Sequence, residues 1–95
     1  MIKIKATDNE IVITGHACYD IVGKDIVCSS VSSIVITTIN GILRLEDTIN
    51  YTNDINGLTI KIIKSTKINK ILINNMLDML QQLASSYPDN IKFIK

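Results

Sequence analysis

The sequence predicts a two-layer α+β domain in the order β-β-α-β-β-α-β, with both helices packed on one face of a mostly antiparallel sheet. Three observations predict it. Two long stretches place apolar residues at helical spacing, and about five short ones alternate or are rich in β-branched residues. The length of 95 residues allows a single domain, 1–95, and no solenoid-type repeat or low-complexity segment interrupts it.

Residues 1–6 (MIKIKA) alternate apolar and charged, and residues 10–16 (EIVITGH) are β-branched, so the two read as a hairpin turned by Thr7-Asp8-Asn9. Residues 17–24 fit neither period and contain Gly23, which predicts a loop. Residues 26–44 are rich in Val, Ile and Thr, which favours a strand, but the stretch is too long for one. Val27, Val31, Ile34, Val35 and Ile42 recur at helical spacing behind Asp25, a good N-cap, so a helix is expected. Residues 47–53 and 57–63 read as two strands joined by a turn through 53–57, with Gly57 suited to positive φ. Residues 67–86 predict an amphipathic helix with Ile68, Ile71, Leu72, Met76, Met79, Leu80 and Leu83 on its inner face. Ser65 or Thr66 would cap it and Pro88 would end it. Residues 90–95 alternate again as a last strand.

Composition narrows the function classes. A net charge of +1 argues against a general nucleic-acid binder. Lys61, Lys64, Lys67 and Lys70 span a strand, a turn and a helix start, and read as a solvated edge. The N-terminus is short, charged and alternating, unlike a signal peptide. No apolar run approaches the roughly 20 residues that cross a bilayer. The expectation is a cytoplasmic protein without membrane contact, and two cysteines in a reducing compartment seldom mean a structural disulfide. A small domain that buries only about 60–65% of its unfolded surface is a natural candidate for dimerisation.

The informative segment runs from Gly15-His16-Ala17 to Gly23-Lys24-Asp25-Ile26-Val27-Cys28 and on to Ser32. Cys28 falls near the third residue of a helix capped by Asp25. A thiol there meets unpaired backbone N–H groups and the positive end of the helix dipole, which favour the nucleophilic thiolate. An imidazole from the preceding strand end, His16, would pair with that thiolate and later protonate a leaving amine. The same N–H groups would stabilise an oxyanion.

A GHA motif followed by G-x-D-I-V-C and Ser32, with Gly15 and Cys28 separated by 13 positions, resembles the ribosomal-processing cysteine protease family, Prp. The resemblance is specific between Gly15 and Ser32 and weak elsewhere. It implies a cysteine endopeptidase that removes a short N-terminal extension from the large-subunit ribosomal protein L-twenty-seven. It further implies a homodimer, no metal or organic cofactor, Cys28 as nucleophile, His16 as general base and acid, and residues 17–24 as a closing loop. Asp25 either orients His16 or, the favoured reading, caps the helix. Ser32 lies one turn from Cys28 and either hydrogen-bonds locally, lines the pocket or packs. Gly15 permits close backbone approach beside His16, and Gly23 is a candidate hinge. Cys18 is outside the family pattern. Zinc ligation by His16, Cys18 and Cys28 has too few ligands. A Cys18–Cys28 disulfide would silence the nucleophile, and an incidental loop cysteine is the favoured reading. The competing functions are a non-enzymatic ribosome-associated or RNA-contacting module, opposed by neutral charge and few aromatics, and a dimerising scaffold built on helix 26–44.

Overall fold

The computed structural model describes residues 1–15 and 26–94. The elements follow the expected order: β1 (Ile2–Ala6), β2 (Glu10–Thr14), α1 (Ile26–Leu45), β3 (Ile49–Asp54), β4 (Gly57–Ile62), α2 (Lys67–Ser86) and β5 (Ile91–Ile94). One sheet, ordered β3-β4-β2-β1-β5, holds all five strands. Its pairings are antiparallel except for β1 with β5. That exception follows from connectivity, because α2 carries the chain back across the sheet before β5 begins, and parallel neighbours require such a crossover.

Strand alternation divides the sheet into two faces. Ile2, Ile4, Ile11, Ile13, Ile49, Ile60 and Ile91 point to the helices and are buried. Lys3, Lys5, Lys61 and Lys92 are exposed on the opposite side. From α1, Val27, Val31, Val35, Ile39 and Ile42 complete the core. From α2 come Ile73, Met76, Leu80 and Ala84.

Three expectations need correction. β2 ends at Thr14 rather than residue 16, because Gly15 adopts φ +84 and leaves the extended region. The inner face of α2 is rotated from the expected one: Ile68, Ile71 and Met79 are exposed, while Asn69 is fully buried. Apolar residues cover much of the α2 circumference, so they do not choose the face; the polar partners of Asn69 do. Finally, α1 is a 20-residue helix long and apolar enough by length and composition to cross a bilayer, about 30 Å at helical rise. Its scattered hydroxyls break up the apolar run without lowering its overall character. Two of them, on Ser30 and Thr38, donate to the carbonyls of Ile26 and Ile34 within the helix. In this fold the buried stripe of α1 belongs to the core.

A polar lock joins the connection between α1 and β3 to the start of α2. Thr66 caps α2: its side chain accepts from the Asn69 amide at 3.1 Å, and the Asn69 side chain accepts from the Thr66 amide at 3.1 Å, a capping box. Asn69 Nδ2 donates to the Lys64 carbonyl at 2.8 Å and to Thr48 Oγ1 at 3.0 Å. Thr48 and Thr66 both donate to the Glu46 carboxylate. Every polar atom of the buried amide is thereby satisfied. Replacing Asn69 with Ala strands these partners and is expected to cost about 1–3 kcal/mol, measured by urea denaturation.

The hydrogen bond from Thr48, then that from Thr66, holds the Glu46 carboxyl below its ordinary value of 4.5; the Lys64 charge adds to this, and partial desolvation opposes it. A carboxyl depressed on folding adds stability that is complete above its unfolded pKa and is lost as pH falls through its folded pKa. The melting temperature should therefore fall as the pH is lowered below 4.5, and Glu46→Gln should flatten that dependence in a pH series of thermal melts.

Candidate active site

Cys28 is the third residue of α1 and is partly buried. It sits where the sequence places it, in the first turn, where backbone N–H groups lack intrahelical acceptors. Val27 and Val31 on either side of it point into the core and fix the rotation of the helix. Ser32 and Ile36 follow Cys28 at intervals of one turn, so the three share a face.

That face forms one wall of a cleft of about 180 Å³. Ile2 and Ile13 contribute apolar surface, and Val31 and Val35 reach it from the underside of α1. The far wall is the β3–β4 hairpin, with Asn53 and Asp54 on one strand and Gly57 and Leu58 on the other. The hairpin turn is only Ile55-Asn56, with the Asn56 amide donating to Asp54 Oδ1 at 2.8 Å. Asn53 thus belongs to β3, within the strand expected over 47–53, and Asp54, expected in the turn, extends that strand by one residue.

Two glycines permit this arrangement. A Cβ on Gly15 would lie 2.1 Å from the Met1 carbonyl oxygen, and one on Gly57 would lie 2.4 Å from the Ile13 carbonyl oxygen. Both glycines have positive φ, +84 and +132. The close approach expected at Gly15 is present, and its partner is the start of β1.

Of the residues singled out from sequence, Cys28, Ser32 and Gly15 line the same cleft. Ser32 is exposed there rather than packed. His16, Cys18, Gly23 and Asp25, with the loop 17–24, lie outside the described residues. Cys28 is disulfide-bonded in this structure, a state in which its sulfur is no nucleophile; attack on a substrate would require the reduced form. Among the described residues no group of three or more His, Cys, Asp or Glu side chains is placed to hold a metal ion. Sequence reasoning missed Asn53, Asp54 and Leu58, since their place beside Cys28 depends on how the hairpin docks against α1, and Ile36, which helical spacing from Cys28 could have found.

The same architecture occurs in a ribosomal processing protease from S. aureus, crystallised with a covalently linked product peptide. The likeness has a TM-score of 0.83 and 25% identity, covering 97% of this chain and 94% of that one. A Streptococcus mutans protein shares the fold with a TM-score of 0.77 at 23% identity, covering 97% of this chain and 89% of its own. Together with the cysteine-bearing cleft, the likeness to the S. aureus protease defines a class: a small α+β cysteine protease. A Mycoplasma genitalium ribosomal processing cysteine protease is 33% identical over 94 residues, covering 96% of this chain and 92% of that relative. The chain belongs to the cysteine protease Prp family, whose model matches residues 1–92.

Replacing Gly15 with Ala should destabilise the protein on the order of 1–3 kcal/mol, because a strained φ and a backbone clash coincide. Gly41→Ala is the control, since nothing lies within 4 Å of its added methyl. In a helix interior that change should stabilise by roughly 0.5–1 kcal/mol. Paired thermal melts separate the two.

Proposed function

We propose that this protein is the endopeptidase that removes the N-terminal extension of the ribosomal protein L-twenty-seven precursor, with Cys28 as nucleophile and His16 as general base and acid. The observation that carries the reading is the position of Cys28. It lies in the first turn of α1 and on the wall of the cleft, in a chain of the Prp family. A relative of the same fold was crystallised with a covalently linked product peptide.

The chemistry follows from that position. In the reduced protein the helix N-terminus favours the thiolate, and the imidazolium of His16 balances its charge. The sulfur attacks the scissile carbonyl, and first-turn N–H groups stabilise the oxyanion. His16 then protonates the departing amine, leaving an acyl-enzyme thioester. Water, deprotonated by His16, hydrolyses the thioester and restores the pair. The motif assigns Asp25 to the cap of α1 ahead of Cys28 and Gly23 to a hinge in the loop 17–24; both residues lie outside the described ones. The reaction needs no cofactor.

In this reading the protein acts in the cytoplasm as a homodimer. Exposed Ile68, Ile71 and Met79 on α2 support that assembly, being apolar surface of the kind a second copy covers.

The test is cleavage of a peptide spanning the L-twenty-seven extension of the source organism, in the presence of a thiol reductant. Cys28→Ala and His16→Ala should each lower turnover by at least about a thousandfold, while Cys18→Ser retains it. Full activity in the Cys28→Ala protein would end the proposal.

A further inference from the structure

β3 is a sheet edge with unusual features. Strands at sheet edges are commonly protected by lysine, proline, bulges or short length. The other edge, β5, follows that rule, with four residues and an exposed Lys92. β3 has six residues, INYTND, with neither lysine nor proline, and pairs with β4 in unbroken register. Of its six residues only Ile49 is buried. Tyr51 and Asn53 share the helix-side parity of Ile49, yet Tyr51 is 45% exposed. The helical layer therefore stops short of this strand and leaves a ledge along it.

Alternation fixes which backbone groups face outward. Thr48 accepts from the Ile63 amide, so the even-numbered residues of β3 bond to β4 and the odd-numbered ones turn away. The outward N–H and C=O groups belong to Ile49, Tyr51 and Asn53, and no described strand pairs with them. The ledge ends at the cleft, because Asn53 lines it together with Cys28, Ser32 and Ile36. Only residues 46–48 separate α1 from β3, so β3 runs back toward the start of α1 and the sulfur.

We propose that the substrate peptide binds as a sixth strand on the outer edge of β3, pairing with Ile49, Tyr51 and Asn53 so that its scissile bond reaches Cys28. This rests on the protease reading above. An extended peptide matches the edge, since main-chain pairing supplies affinity while alternate side chains meet the Ile36 and Tyr51 surface. It also presents its carbonyls in a regular array, which positions one of them for attack.

The test uses the reduced full-length protein and a series of L-twenty-seven extension peptides, each with one N-methylated amide. The expected profile has a period of two: KM rises about tenfold at alternate positions and stays near that of the unmethylated peptide between them. Tyr51→Pro removes an outward N–H that an edge strand can spare for folding. It should raise KM about tenfold with kcat and melting temperature nearly unchanged. Thr52→Pro, which breaks a bond to β4, should instead lower the melting temperature. A flat methylation profile with good cleavage overturns the inference and leaves the protease reading intact. Tyr51→Pro that dissociates a dimer without changing KM overturns it too, assigning the edge to a second copy. Failure to cleave even the unmethylated peptide removes the protease reading and this inference with it.

Discussion

The cleft exists because three backbone segments at one end of the sheet approach more closely than residues bearing a Cβ allow. Gly15 passes over the Met1 carbonyl, and Gly57 passes over the Ile13 carbonyl. Both glycines line the cleft. With any other residue at either position, the end of β2 would separate from the start of β1, or the β3–β4 hairpin from β2. The wall carrying Asn53, Asp54 and Leu58 would then move away from α1, and Cys28 would face open solvent. The positive φ at Gly15 does a second thing: it ends β2.

α1 answers that constraint with two faces of different duty. Val27, Val31, Val35, Ile39 and Ile42 form the buried stripe that fixes the helix on the sheet. Cys28, Ser32 and Ile36 form an adjacent stripe along the cleft. Cys28 lies between two core valines in sequence, so its direction is set by packing that it does not itself supply. The hydroxyls of Ser30 and Thr38 are satisfied within the helix, which lets a helix this rich in serine and threonine still present apolar surface.

Much of the fold was legible because it rests on local periodicity. The alternation in β1 and the 3.6-residue pattern in α1 are written into neighbouring residues, and the limits of α2 were marked by Thr66 and Pro88. The polar lock was not legible. Glu46 and Asn69 are separated by 23 positions, and nothing in the neighbourhood of either one announces the other. That gap also misdirected the inner face of α2: a buried asparagine looks like a surface residue until its acceptors are seen. For the site, Cys28 at a helix start was visible from the apolar spacing behind Asp25, while the other motif residues His16, Gly23 and Asp25 lie outside the described residues. Asp54 was read as turn because turn-forming residue types suggested a wider one, whereas it ends β3 and closes a tight turn through the Asn56 amide.

The two ends of the α1–β3 unit are built on opposite principles. At one end Glu46, Thr48, Thr66 and Asn69 are tied by side-chain hydrogen bonds that link the connection 46–48 to the start of α2. At the other end, backbone proximity across two glycines does the work, and the walls between α1 and the hairpin leave space. The side-chain network is thus concentrated at the end away from the cleft. Short residues 46–48 transmit that rigidity directly: they hold the start of β3 against the end of α1. β3 then extends from a fixed base toward Cys28, losing burial after Ile49. An edge anchored at its base and uncovered toward its tip keeps its register without being covered along its length. That is the condition under which an added strand can find one alignment rather than several.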